Sequence, residues 1–310
     1  MPNSDDWSKR LRGVRAAVWG DLCLDRYRYG EVRELAREAP VAALHLQKEV
    51  FCGGQAANVA FNLRALGAEV SLVGIIGNDA EGGKLKEILL RAGIDCNGII
   101  NTRRATELRE KIVAGSLHQP SQHILHVYRE STCGLGESLR LKLLHALEIH
   151  PHDLDLLVIT DYGNGMCRGT LSAALIALAK KHGLKTVANT RCGIRPFAGC
   201  GGMVINARQA LGQSPQQLLR QMGWEWLLVT AGAKGMNLYQ SGTSRQVDPP
   251  GKLPLVDITG AGDTVLAWMA AGWAAGLDLD TVLDLANLAA QVSVSQPGTS
   301  APTVDEIRNL

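Results

Sequence analysis

Thr259-Gly-Ala-Gly-Asp263-Thr leads directly into an apolar helical run, Val265 to Ala275. Small residues let successive backbone N–H groups turn toward an anion, and the helix N-terminus adds partial positive charge. A carboxylate beside such an anion hole can take the proton of a hydroxyl as that oxygen attacks a phosphoryl group. The reaction asks a protein mainly for positioning and charge stabilisation. Asp263 stands where that base would stand; the competing reading of these few residues is a tight loop with Asp263 as helix cap. A second constellation, Cys52-Gly-Gly-Gln-Ala-Ala-Asn58-Val-Ala, heads a helical stretch ending near Gly67. Gly53 and Gly54 admit a polyol close to the backbone, and Asn58 can donate to and accept from hydroxyls.

Other residues offer less. His123 with His126, and His150 with His152, are spaced as metal pairs, yet no third ligand follows at a fitting spacing, so surface or lid positions are expected. Cys52 reads as a packing cysteine before a reactive one. Trp224 and Trp226 flank a strand and are expected in the core. No Gly-x-Gly-x-x-Gly follows the first strand, which disfavours a dinucleotide-dependent dehydrogenase.

The elements needed to position these groups follow from apolar patterning. Ala16–Gly20 reads as a buried strand, Ala56–Leu66 as a helix and Glu69–Ile76 as a second strand, a β-α-β opening. Further short strands at Leu156–Thr160, Lys185–Ala188, Met203–Ile205 and Trp226–Thr230 are separated by helical segments such as Leu171–His182 and Pro215–Met222. That alternation predicts a mostly parallel sheet with helices on both faces. Ala39–Val50 and Lys111–Arg129 interleave apolar and polar residues as half-exposed strands do, and are expected to form a separate small sheet acting as a lid. A strand pair is predicted within Gly235–Val247, and two Ala-rich helices from Gly262 onward.

Composition narrows the partners. Lys plus Arg number 32 against 30 for Asp plus Glu, with no long basic run, so nucleic acid is not expected. The longest mostly apolar stretch, Thr264–Leu277, is too short to cross a bilayer, and the polar N-terminus lacks a signal-peptide core, so no membrane partner is expected. Seven cysteines (Cys23, Cys52, Cys96, Cys133, Cys167, Cys192 and Cys200) are scattered without Cys-x-x-Cys spacing, which fits a reducing cytoplasm.

Taken together, Gly53-Gly-Gln-Ala-Ala-Asn58-Val-Ala60, Gly67, Gly77 and the distant Asp257-Ile-Thr-Gly-Ala-Gly-Asp263 resemble, in order and spacing, the two motifs of the PfkB or ribokinase-like carbohydrate kinases. The resemblance covers nearly the whole chain. Gly20-Asp21-Leu-Cys-Leu-Asp25-Arg-Tyr, Glu38-Ala-Pro-Val41, Asp161-Tyr-Gly-Asn-Gly165 and Pro297-Gly-Thr-Ser300 are most similar to the kinases that phosphorylate C1 of D-glycero-β-D-manno-heptose 7-phosphate, on the way to ADP-heptose.

The resemblance implies a three-layer α/β/α sandwich with a small β lid, one kinase domain over residues 1–310 with lid segments near 36–50 and 105–130. It implies ATP and Mg2+, with K+ as a further ion, a sugar phosphate as substrate, and a homodimer. Asp263 would be the base, with Gly260, Ala261 and Gly262 as the anion hole. Asp21, Asp25, Gly53, Gly54 and Asn58 would hold the sugar. Asn206, Thr230, Gly232, Gly235, Asn287 and Arg191 would hold the nucleotide. Asp257, Thr259 and Gly298 correspond to the monovalent-cation loop. In bifunctional relatives a nucleotidyltransferase domain follows the kinase; this sequence ends at Leu310, so either a stand-alone kinase or the kinase portion of a longer protein is expected.

The sequence departs from the pattern around the metal and phosphates. Gln209 in Asn206-Ala-Arg-Gln209 replaces the family's magnesium-associated Glu, Asn164 replaces a Lys in Asp-Tyr-x-Lys-Gly, and Asn189-Thr-Arg191 replaces Asp-Pro-Lys. An amide substitutes poorly for a carboxylate around a hard cation, and a guanidinium is not an ammonium. His126 and Tyr128 fall where the heptose kinases carry Arg and Asp. Three readings therefore stand: a kinase for another sugar, a slow kinase using Asp263, or a non-catalytic nucleotide- or sugar-binding relative.

Overall fold

A computed structural model describes residues 4–116, 119–130, 134–148, 153–210, 212–251 and 253–310. Nine strands form the main sheet: β1 (Arg15–Gly20), β4 (Glu69–Gly77), β5 (Ile99–Thr102), β8 (Leu156–Asp161), β9 (Lys185–Thr190), β10 (Gly202–Asn206), β11 (Trp226–Thr230), β12 (Met236–Gln240) and β13 (Thr243–Val247). Their spatial order is β13-β12-β11-β10-β9-β8-β1-β4-β5. From β11 to β5 every pairing is parallel, and only the β11-β12-β13 edge is antiparallel.

Central strands such as β1 are buried on both faces, so successive residues enter different cores. Ala16 and Val18 pack with α2 (Ala56–Ala65), α7 (Ala261–Ala274) and α8 (Leu279–Val294) on one side. Ala17 and Trp19 pack with α4 (Glu137–Glu148), α5 (Leu171–Lys181) and α6 (Pro215–Met222) on the other. Trp226 and Trp224, on or beside β11, are both buried. These layers are the α/β/α sandwich expected from the alternation of strands and helices. Helix α7 is apolar all round and buried from Thr264 to Trp273, as a helix enclosed between sheet and neighbouring helices must be.

The second sheet has the order β3-β2-β6-β7, built from β2 (Leu22–Leu35), β3 (Ala42–Gln55), β6 (Glu107–Ser116) and β7 (Gln119–Arg129). It begins earlier than the pattern at 36–50 suggests. β2 starts at Leu22, directly after β1, and continues unbroken into the lid. Its inner half is buried and its outer half exposed, so one strand carries the core into the lid. Helices α1 (Ser4–Arg12), α3 (Ala80–Arg91) and α9 (Val304–Arg308) complete the chain.

Tight backbone approaches hold the mouth of the sheet. A Cβ on Gly20 would lie 1.9 Å from Thr160 Oγ1, so only glycine lets the ends of β1 and β8 close together. The C-terminal ends of β1, β8, β9, β10 and β11 all open toward the lid side, the edge where open α/β sheets place their ligands.

Candidate functional site

Gly260 caps α7 with φ of 86°, and a Cβ there would also stand 2.7 Å from Asn58 Nδ2. Glycine is thus required for both the backbone and its neighbour. The turn sets Asp263 in the first turn of α7, where Asn58 Nδ2 donates to its Oδ2 at 2.9 Å across 205 residues of sequence. The Tyr162 hydroxyl donates to Oδ1. Asn58 is in turn fixed by Asn62, whose Nδ2 donates to the Asn58 carbonyl at 2.9 Å. Burial raises the Asp263 carboxyl above its ordinary value, against the downward pull of Asn58, Tyr162 and Arg191.

Asp263 lies on a cleft of about 310 Å3 with Gly260, Gly262, Thr259, Arg191 and Tyr162 on one side and Asp25, Gly54, Arg109, Lys111, His126 and Tyr128 on the lid side. Asp25 is 3% exposed, and its Oδ2 accepts from Lys111 Nζ at 2.9 Å. Lys111 also donates to the Tyr27 hydroxyl at 2.6 Å and lies 4.4 Å from that ring's centroid. Gly54 makes room for this arrangement, since a Cβ there would stand 2.5 Å from Asp25 Oδ1. Gly53 serves packing instead: its Cβ would meet Phe61 and Ala57 of α2 at 2.6 and 2.7 Å.

Asp21 is not brought to this cleft. Its carboxylate accepts the backbone N–H groups of Tyr162 at 2.9 Å and of Asn164 and Met166 at 3.1 Å. It anchors the loop that carries Tyr162, and burial raises its carboxyl despite the three donors. Beside it Glu107 accepts from Arg104 at 3.0 Å and from the Asn164 side chain. Burial first, then Asp21, push Glu107 up to about 7 against Arg104 and Arg109. Asn164, at the family's Lys position, is thereby engaged with a buried acid.

Asn206, Thr230, Gly232 and Gly235 lie at the ends of β10 and β11, and the other candidates lie elsewhere. Asn206 and Thr230 are register partners. Gln209 Oε1 accepts the Asn206 N–H at 2.8 Å, Asn206 Oδ1 accepts the Gln209 N–H at 3.0 Å, and Gln209 Nε2 donates to the Thr190 carbonyl. Gly232 and Gly235 have φ of 59° and 79° in the β11–β12 turn. Asn287, on α8, donates to the Asp248 carbonyl at 2.8 Å. Asp257 accepts from the Thr259 N–H at 2.9 Å and the Gly298 N–H at 3.0 Å, joining the three residues into one loop. Burial acts upward on Asp257, but these hydrogen bonds prevail and hold it below the ordinary carboxylate value. Arg191, expected on the nucleotide, lies with Asp263 in the cleft, its guanidinium 4.8 Å from the Tyr162 ring centroid.

His123 and His126 form a chain with Tyr128 through contacts of 2.9 Å each. Among the described residues no group of three or more His, Cys, Asp or Glu side chains is placed to hold a metal. His150, His152 and Cys133 lie outside the described residues. Burial pushes the Cys52 thiol up to about 11, which leaves it neutral and suited to packing. Among the described residues no helix is long and apolar enough to cross a membrane. Lys111, Tyr27, Tyr162 and Glu107 were not singled out from sequence. Tyr162 sat inside a motif already marked, and Lys111 had as its signal a cation on the inward phase of an alternating strand.

Residues 15–116 and 205–306 match the model of the pfkB family of carbohydrate kinases. The chain is 31% identical over 316 residues to the bifunctional protein HldE of Paramagnetospirillum magneticum, covering 96% of this chain and 63% of that protein. The chain thus spans under two thirds of the length of this relative. Among solved structures, phosphofructokinase-2 from Escherichia coli in complex with potassium gives a TM-score of 0.74 at 16% identity, covering 96% of this chain and 97% of that one. Ribokinase of Arabidopsis thaliana complexed with ribose and ATP gives 0.68 at 18%, covering 96% and 98%. At such identities these two structures establish the fold, which is ribokinase-like.

Proposed function

The chain belongs to the pfkB family of carbohydrate kinases, and from that premise we propose that it transfers the γ-phosphate of ATP to a sugar hydroxyl, with C1 of D-glycero-D-manno-heptose 7-phosphate as acceptor. The observation that carries the reading is the joining of the two distant motifs at one carboxylate. Asn58 holds Asp263 at the head of α7, facing a cleft also lined by Asp25. The sugar would sit between Asp25 and Asp263. The acceptor O–H gives its proton to Asp263, its oxygen bonds the γ-phosphorus, and the bond to the β,γ-bridging oxygen breaks to release ADP. The α7 N-terminus and the Gly260–Asp263 backbone stabilise the transferring phosphoryl group.

Asn206, Thr230, Gly232 and Gly235, at the ends of β10 and β11, and Asn287, midway along α8, would line the route for the nucleotide. Arg191 reaches the phosphoryl group from the cleft. Among the described residues no carboxylate cluster is placed to hold a metal, and both ends of the Gln209 amide are engaged. Mg2+ would accordingly enter with ATP. K+ would be held by the loop that Asp257 ties to Thr259 and Gly298. The exposed apolar lid residues Leu35, Leu46, Leu125 and Val127 support a homodimer formed through the lid, and a cytoplasmic enzyme fits the unpaired cysteines.

A kinase for a different sugar is the second reading, favoured by His126 and Tyr128 on the cleft wall. Both are tested by ADP release from ATP with heptose 7-phosphate and with a panel of hexoses, pentoses and nucleosides. Turnover confined to the heptose supports the first reading, turnover confined to another sugar supports the second, and none with any acceptor refutes the kinase assignment.

A further inference from the structure

We propose that Tyr162 is a positioning residue for the reacting carboxylate, holding Asp263 ionised and aimed at the acceptor hydroxyl; this rests on the kinase reading above. The two oxygens of Asp263 are shared between donors from two different elements. Asn58, on α2, holds Oδ2, and the Tyr162 phenol, from the loop after β8, holds Oδ1. Each carboxylate oxygen has two acceptor sites, so one donor on each leaves room for the sugar hydroxyl.

Burial and two contacts fix the tyrosine itself. The residue is 8% exposed, the Arg191 guanidinium lies 4.8 Å from the ring centroid, and its backbone N–H is held by the buried Asp21 at 2.9 Å. Asp21 thus acts at one remove, fixing the loop that aims the phenol. Burial, then the Asp263 charge, raise the phenol well above its ordinary value, so it remains a donor. A donor on the charged form favours ionisation of a carboxyl that burial otherwise pushes toward neutrality. In the reaction the sugar proton moves to Asp263, the sugar oxygen bonds phosphorus and ADP departs with the bridging pair. The phenol keeps its own proton. Its work is done before that transfer, by keeping the base charged and its rotamer single.

Tyr162→Phe keeps the ring, the Arg191 stack and the N–H to Asp21 while deleting the phenol's hydrogen bonds to Asp263 and to the Asn189 side chain. Kcat should fall about tenfold, the worth of one hydrogen bond to a charged group, and the acidic limb of the kcat/KM–pH profile should move to higher pH. A fall of equal size at every pH, with the limb unmoved, would mean a merely structural role and overturn the inference. Titration of Asp263 by 13C NMR of aspartate-labelled protein, wild type against Tyr162→Phe, needs no turnover: an upward move supports the inference and coincident curves overturn it. Absence of wild-type turnover would therefore sink the kinase reading while leaving this one decidable. If Tyr162→Phe does not fold, wild-type sequence carrying 3-fluorotyrosine, a stronger donor, should lower the Asp263 titration, and an unchanged titration refutes the proposal.

Discussion

Replacing Lys111 by Met separates charge from bulk at the buried heart of the lid. Lys111 and Asp25 are among the least exposed charged groups of the chain, with side chains 5% and 4% exposed and 2.9 Å apart. Removing one partner of a buried pair leaves the other charge uncompensated and costs about 3–5 kcal/mol. Methionine preserves most of the volume, so cavity formation adds little. At about 2.1 cal/mol/K per residue, a chain of 310 residues loses roughly 1.5 °C of Tm per kcal/mol. Lys111→Met should therefore melt about 5–8 °C lower by calorimetry. The diagnostic variant is the pair Lys111→Met with Asp25→Asn. With the buried charge removed from both sides, most of the loss should return, and the double-mutant cycle should give a coupling of about 2 kcal/mol or more. Sugar affinity should fall in both, because Asp25 lines the cleft. A single variant within about 1 °C of wild type, or a double variant showing simple additivity, would refute the view that the lid is fixed on Asp25 by this ion pair.

Three further outcomes follow from the geometry. Gly260→Ala forces a side chain to φ of 86° and against Asn58 Nδ2, costing about 1–3 kcal/mol of backbone strain; displaced Asn58 should lower kcat about tenfold or more in steady-state assays. Gln209→Glu keeps an acceptor for the Asn206 N–H but loses the donor to the Thr190 carbonyl, so stability should fall by about 1–3 kcal/mol, roughly 2–5 °C of Tm, measured alongside magnesium dependence. Glu107 carries the pH prediction: its folded value, about 7, stands above the ordinary 4.5. The folded state then holds the proton more tightly, so stability is lost as pH rises from about 4.5 to 7, by up to roughly 3 kcal/mol. Glu107→Gln should flatten denaturant midpoints between about pH 4.5 and 7; an unchanged slope counts against the buried acid.

The sheet was readable because β1, β8, β10 and β11 are short apolar runs bounded by Gly, Asp, Asn or Thr, and burial on both faces leaves that signature. The beginning of the lid was not. Leu22–Leu35 changes from buried to exposed along its length, and a strand shared by core and lid has no single period to detect. The Asp263 turn and Asn58 stood out because glycine and small residues mark backbone demands that only particular types meet. What local patterning could not reveal was the pairing of long-range polar groups. Asp21 and Asp25 sit four residues apart in one motif, yet one folds inward to anchor the Tyr162 loop and the other faces the cleft with Lys111. Similarly, nothing in Asn206-Ala-Arg-Gln209 indicates that Gln209 Nε2 reaches Thr190. Such contacts depend on where β9 and β10 end relative to each other in space.

The central claim is that Asp263 is the base of a sugar kinase, and Asp263→Asn tests it most directly by removing the base while keeping size and a hydrogen-bonding head group. ADP release with saturating ATP and the accepted sugar should fall by about 10²–10⁴-fold, while calorimetric ATP binding remains within a few-fold of wild type. Turnover equal to wild type, with the fold and nucleotide binding intact, would contradict the account.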